Sequence, residues 1–247
     1  MTTTPDGGGS VRVASSAPGV RDPFTPPSRR LVVVSGGLSD PSSTRKLADR
    51  LTEATERALG EAGVVTQVEV IELRHLATDL AQSMVSPAQS PRLSAALGQT
   101  AGADGIIAVS PTFKASYSGV FKSFWDLVDD DALRGVPVLL GATGGTARHS
   151  LMLDTAMRPL FAYLRAQTLP AAVFAAADDW GEVAHGSEST RTTALSARIE
   201  AAGEDLAAAL TPRPRSDRGP AASATPSPRT TTLEVTPFEQ LLARTLT

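Results

Sequence analysis

Short, unbroken apolar runs recur through the middle of the chain, and most are followed by segments whose apolar residues fall three or four apart. Leu31–Ser35 reads L-V-V-V-S and predicts a buried strand. Ser43–Leu59 then carries Leu47, Leu51, Ala54 and Ala58 on one helical face. Val64–Leu73 holds the β-branched run V-V-T-Q-V-E-V-I, a second strand. The polar stretch Ala77–Pro91 predicts at most one irregular helical turn, and Pro91–Ala101 a short helix. Gly105–Ser110 (G-I-I-A-V-S) is a third buried strand. A loop, Ser110 to Tyr117, separates it from a helix face made by Val120, Phe121, Phe124, Trp125 and Val128. Val136–Gly141 is a fourth strand, Ala147–Ala166 a helix, Thr168–Ala175 a fifth strand and Thr190–Leu210 an Ala-rich helix.

Five short apolar strands separated by helices imply one parallel sheet covered on both faces. The expected fold is α/β, a flavodoxin-like three-layer sandwich with a five-stranded parallel sheet; the alternation comes from the pattern and the order 2-1-3-4-5 partly from analogy. This domain spans residues 30–210. Residues 1–29 are rich in Gly, Pro, Ser and Thr, and that composition predicts a disordered arm. Residues 211–247 form a Pro/Arg-bearing linker and a short tail; Phe238, Leu241 and Leu242 suit either a docked helix or a frayed end.

Composition narrows the chemistry. Apolar residues make up 41%, enough for a core, and the net charge of −3 gives no reason to expect a nucleic-acid partner. The absence of cysteine removes disulfides, thiol nucleophiles and thiolate metal sites, and the three histidines, His75, His149 and His185, lie far apart. No apolar run approaches the ~20 residues of a membrane span. The first residues have neither a basic nor an apolar segment of a secretory signal, so a cytoplasmic protein is expected.

Three loops follow strands and open helices, the position at which open α/β sheets bind ligands. In the first, Ser35 to Arg45, two glycines allow close backbone approach, and Ser42, Ser43 and Thr44 offer hydroxyls at a helix start. Hydroxyls without a Gly-Lys-Ser/Thr ending suit a terminal phosphate monoester, as on FMN; they suit an ordinary capped helix equally. The second loop offers Pro111, Thr112, Ser116 and Lys114, with Phe113 and Tyr117 able to border a flat ring or to serve as packing aromatics. The third, Ala142 to His149, presents Thr143, Gly144, Gly145 and Thr146, whose backbone matches the donors and acceptors of a flavin pyrimidine edge. His149 has the chemistry of an acid–base group. A helix-surface or interface position accounts for it better, since hydride transfer needs no protein base.

The segments Ser110 to Gly119, Ala142 to His149 and Leu151 to Gln167 resemble those of NAD(P)H-dependent FMN reductases, most closely the flavin-reductase component of alkanesulfonate monooxygenase systems. The resemblance covers about Leu31 to Trp180. It implies a homodimer or homotetramer using FMN with NADPH or NADH, and hydride transfer from nicotinamide C4 to flavin N5. It further implies delivery of reduced FMN to a luciferase-like flavin-dependent monooxygenase. Ser43 and neighbouring hydroxyls would hold the phosphate, Pro111 to Ser116 would flank the ring and ribityl chain, and Thr143 to Thr146 would hold the pyrimidine end. A tightly flavin-bound quinone or azo reductase, and a non-catalytic flavodoxin-like redox carrier, are the alternative readings. One departure concerns the helix after the third loop. There the alkanesulfonate-type reductase has a tyrosine that starts a π-bulge, and this chain has Thr155. Pro159 independently removes the hydrogen bond to the Thr155 carbonyl, so a bulge is expected without the tyrosine.

Overall fold

The computed structural model describes residues 26–86, 88–180 and 188–211. Of the expected arm over residues 1–29, residues 1–25 lie outside the described residues, as do 212–247 of the linker and tail; Ser28 and Arg29 are not part of an arm but open the first strand, paired with Val65 and Thr66. Five strands form the parallel sheet: β1 (Ser28–Ser35), β2 (Val65–Glu72), β3 (Gly105–Phe113), β5 (Pro137–Gly144) and β6 (Gln167–Ala176). Their order is β2-β1-β3-β5-β6. With the small hairpin strand β4 (Ser116–Tyr117) set aside, this is the expected 2-1-3-4-5 order.

Alternation along each central strand divides the core. Val32, Val34, Ile106, Ala108, Val138 and Leu140 face one side, against α2 (Ala77–Val85), α3 (Pro91–Ala101), α4 (Gly119–Trp125) and α5 (Arg158–Tyr163). Leu31, Val33, Ile107, Val109 and Leu139 face the other, against α1 (Ser43–Glu61) and α6 (Glu188–Leu210). The near-continuous apolar runs are therefore strands buried on both faces, and three layers result.

Three further expectations are corrected. Ala77–Pro91 is not a polar stretch with one turn: a 3-10 turn, Leu73–Leu76, leads into the nine-residue helix α2. Leu73, Leu76 and Leu80 are buried together, and their spacing drives the helix onto the sheet despite polar neighbours. Ser110 to Tyr117 is not an open loop. β3 runs on to Phe113 and returns as β4, pairing Thr112 with Tyr117 and Phe113 with Ser116. The turn residues Lys114 and Ala115 take φ of 50° and 65°, the left-handed pair that a two-residue hairpin demands. Ala147–Ala166 is not one regular helix. It divides into a 3-10 turn (Ala147–His149), a π segment (Leu153–Met157) and α5. The Arg158 N–H reaches back five residues to the Leu153 carbonyl. The expected bulge therefore forms around Thr155, directly before Pro159.

Candidate functional site

The carboxyl ends of β1, β3 and β5 lie side by side, so the three loops that follow them share one edge of the sheet. The first leaves β1 with the Gly36 N–H donating to the Val109 carbonyl at 2.8 Å, which ties it to β3. Ser42 caps α1: its hydroxyl accepts from the Arg45 N–H at 3.2 Å. Ser43 and Thr44 open the first helical turn, where backbone N–H groups have no acceptor within the helix. The Thr44 and Thr143 hydroxyls are hydrogen-bonded at 2.8 Å, joining the first loop to the third.

The second loop is braced from beneath. The buried Ser110 hydroxyl accepts from the Ser118 N–H at 3.1 Å and donates to the Pro111 carbonyl at 3.0 Å. Ser118 caps α4, accepting from the Phe121 N–H at 3.3 Å. Phe121, Phe124 and Trp125 are core residues: the Trp125 ring is in edge-to-face contact with Phe121, Phe124 and Phe161, and Phe121 with Phe161 as well. Above this base, the Thr112 hydroxyl is buried and has no hydrogen-bond partner.

In the third loop the two glycines differ. A Cβ on Gly144 would stand 2.8 Å from Phe174 Cζ and 3.4 Å from the Thr112 hydroxyl; one on Gly145 would meet nothing within 4 Å. Gly144 is thus required by the protein's own packing, while Gly145 presents a bare backbone to open space.

Together the loops enclose a cleft of about 520 Å³. Nine expected site residues line it: Ser42, Ser43, Thr44, Pro111, Thr112, Phe113, Thr143, Gly144 and Gly145. Five do not. Ser35 is buried beneath the first loop, and Lys114 sits at the exposed hairpin tip. Ser116 belongs to β4, and Thr146 is exposed just before the 3-10 turn. Tyr117 leans on Phe121, ring centres 5.8 Å apart, and lines a different hollow beside the π segment. The cleft also takes in Trp180, from the turn after β6, which sequence reasoning missed. A lone tryptophan just beyond a parallel strand was the available signal. Lys46 and Arg50 of α1 lie over its ring, 4.7 and 5.2 Å from the centroid.

Among the described residues, no acid, base or other ionisable side chain lines the cleft. His149 lies exposed on its 3-10 turn, outside the lining. Nearby, the Arg45 guanidinium is raised above its ordinary pKa, first by its hydrogen bond to Asp49; burial, the next largest effect, opposes this, and the charges of Asp49 and Glu72 add to the rise.

Residues 29–181 match the family model described as NADPH-dependent FMN reductase. The chain belongs to that family. This reductase is 41% identical to the NADH-dependent FMN reductase SfnF of Pseudomonas putida, over 60% of its own length and 78% of that protein's. It is 39% identical to an FMN reductase (NADPH) of Pseudomonas aeruginosa, over 72% of its own length and 90% of that one's. Among solved structures it resembles an oxidoreductase from Corynebacterium diphtheriae with a TM-score of 0.69 and 41% identity, covering 74% of this chain and 97% of that one. The apo form of the NADH:FMN oxidoreductase EmoB gives 0.58 and 26% identity, over 77% and 100%. The reductase is thus an NAD(P)H-dependent oxidoreductase acting on FMN. No described helix is long and apolar enough to cross a membrane.

Proposed function

We propose that the three-loop cleft is the flavin site of this reductase, and that reduced FMN leaves it for a luciferase-like flavin-dependent monooxygenase. The observation that carries the placement is the pairing of an unpartnered, buried Thr112 hydroxyl with the open backbone of Gly145 across one cleft. A buried hydroxyl without a partner costs about 1–3 kcal/mol unless a ligand supplies one. A flat heteroaromatic ring edged with nitrogen and oxygen acceptors fits that requirement.

In this reading Ser43, Thr44 and the free N–H groups at the start of α1 bind the phosphate. Pro111 and Phe113 flank the ring, and Thr143 to Gly145 meet its pyrimidine edge. Ser35 and Ser110 support from below, and Lys114, Ser116, Tyr117 and Thr146 stand outside. Bound FMN supplies the hydride acceptor, so the protein's task is to position two planar rings and to exclude water. That no ionisable group lines the cleft among the described residues supports a mechanism in which no side chain moves a proton.

The delivery role draws support from the Sfn-named relatives and from the open cleft, and the reduced pyridine nucleotide it consumes favours the cytoplasm. A homo-oligomer is favoured by the exposed apolar residues beside the π segment, Leu151 at 67% and Tyr163 at 72% exposure.

Steady-state NAD(P)H oxidation with FMN, FAD and riboflavin tests the site. The Ser43 side chain makes no hydrogen bond among the described residues, so Ser43→Ala should erode the preference for FMN over riboflavin and leave stability intact. An unchanged preference would move the phosphate elsewhere. Delivery requires that FMN separate from the protein on a desalting column and that turnover saturate with free FMN.

A further inference from the structure

Beside the flavin cleft, and sharing Ser39 and Ser42 with it, lies a hollow of about 360 Å³. Arg45, Lys46, Arg50 and Arg74 face it, and so do Asp40, Asp49, Glu53 and Glu72. The total charge cancels, but the pairing is uneven. Arg45 holds Asp49 and Glu72, each at 2.7 Å. Arg74 holds Asp40 at 3.0 Å and Glu72 at 3.1 Å. Three carboxylates are therefore committed to two guanidiniums. Among the described residues neither Lys46 nor Arg50 pairs with a carboxylate, and both lie over the Trp180 ring instead. Of the groups left without an ionic partner, two are cations and one, Glu53, is an anion.

Lys46 and Arg50 are one helical turn apart on α1 and share one face. The indole holds both in place while leaving their charge unneutralised, since a cation–π contact is weaker than an ion pair with a phosphate. Trp180 lines the flavin cleft, so this pair stands where cleft and hollow meet. A ligand with one end in the cleft and a phosphate on its other end would meet two preorganised donors.

We propose that Lys46 and Arg50 receive the 2′-phosphate of NADPH, its adenosine end in the hollow and its nicotinamide in the flavin cleft, and that they set a preference for NADPH over NADH. The inference rests on the reading of the cleft as the flavin site. The dianionic monoester matches two cations, whereas the bare ribose hydroxyl of NADH offers them nothing. A carboxylate in their place would favour NADH. Arg45, occupied by its two carboxylates, is not the reader of this phosphate.

The test uses the full chain with saturating FMN. In Lys46→Ala and in Arg50→Ala the ratio of kcat/KM for NADPH to that for NADH falls about tenfold, the loss of one charge-assisted hydrogen bond. The ratio is taken within each variant, so a smaller folded fraction cancels. Equal losses for both nucleotides, or an unchanged ratio, overturn the proposal. A KM that rises for FMN but not for riboflavin overturns it too, by giving the cations to the flavin phosphate. A second readout is independent of turnover. Quenching of indole fluorescence by 2′,5′-ADP but not 5′-AMP, lost in the double variant, supports the hollow; equal quenching by both overturns it. A wild-type chain that quenches with 2′,5′-ADP, together with a Gly145→Ala variant whose KM for FMN is unchanged, would refute the cleft as the flavin site and leave the phosphate pair standing.

Discussion

The Thr44 and Thr143 hydroxyls meet at 2.8 Å, although 99 residues separate them in the chain. Both side chains are buried, one on the first turn of α1 and the other near the end of β5. The bond fixes the spacing between the two loops proposed to hold opposite ends of the flavin. Valine fits either site but cannot bond, so Thr143→Val leaves the Thr44 hydroxyl without its partner. Each single variant should lose about 1–2 kcal/mol of stability and raise the KM for FMN. The double variant should cost less than the sum, with a coupling of about 1 kcal/mol from denaturant unfolding. Strict additivity would show that the hydroxyls do not depend on each other.

Arg158 fastens the π segment to β6. Its guanidinium holds Asp154 at 2.7 Å and donates to the Leu169 and Pro170 carbonyls, each at 2.6 Å. Those carbonyls belong to a bulge: Val138 pairs with Thr168 and Leu140 with Ala172, so Leu169, Pro170 and Ala171 stand opposite Leu139 alone. Proline has no N–H for a ladder, and the arginine fork satisfies the carbonyls the bulge releases. Arg158→Lys should cost about 1.5–3 kcal/mol, because one ammonium cannot reproduce a planar fork. Thermal melts of the arginine, lysine and methionine forms at this position decide it: lysine behaves like methionine if geometry matters, and like arginine if charge alone suffices.

Much of this arrangement was legible in the chain, for physical reasons. Strands buried on both faces must be continuous runs of apolar residues, so Leu31–Ser35 and Gly105–Ser110 announced themselves. Sheet order then placed three loops at one edge, and nine of the residues expected there do line the cleft. What escaped was tertiary. The return of Phe113 into β4 depends on two non-glycine residues at positive φ, Lys114 and Ala115, which no turn preference suggests. Trp180 enters the site through the placement of β6 against β5, a contact without a local pattern. The π segment, by contrast, was visible beforehand, because a proline's missing N–H is a local fact.

Among the described residues the cleft is lined by no ionisable group, and this makes a kinetic prediction. The Arg45–Asp49 bridge of the neighbouring hollow cannot confer a dependence either. Arg45 is raised above its ordinary pKa by Asp49, so the stability it contributes is complete below the unfolded pKa and is lost only as pH rises through the folded value. That window lies far above neutrality. Between about pH 6 and 9, kcat with saturating FMN and nucleotide should vary by less than about threefold, with no bell shape. A sharp limb near neutrality would reveal a proton-transferring side chain, with His149 the first to replace.

Gly144 and Gly145 are adjacent, yet their alanine variants should fail in different ways. At Gly144 the new methyl would lie 2.8 Å from Phe174 Cζ, and that ring lies in a packed core strand with little room to withdraw. Gly144→Ala should therefore lower stability by about 1–3 kcal/mol with or without flavin. At Gly145 the methyl meets no protein atom within 4 Å, so the unliganded protein should melt at its wild-type temperature. If the pyrimidine edge lies against this backbone, the same methyl occupies the ligand's space, and the KM for FMN should rise about tenfold or more as that contact is lost. Melting curves with and without FMN, read beside the two KM values, separate the cases. Gly145→Ala that binds FMN as well as wild type does would place the ring away from the third loop.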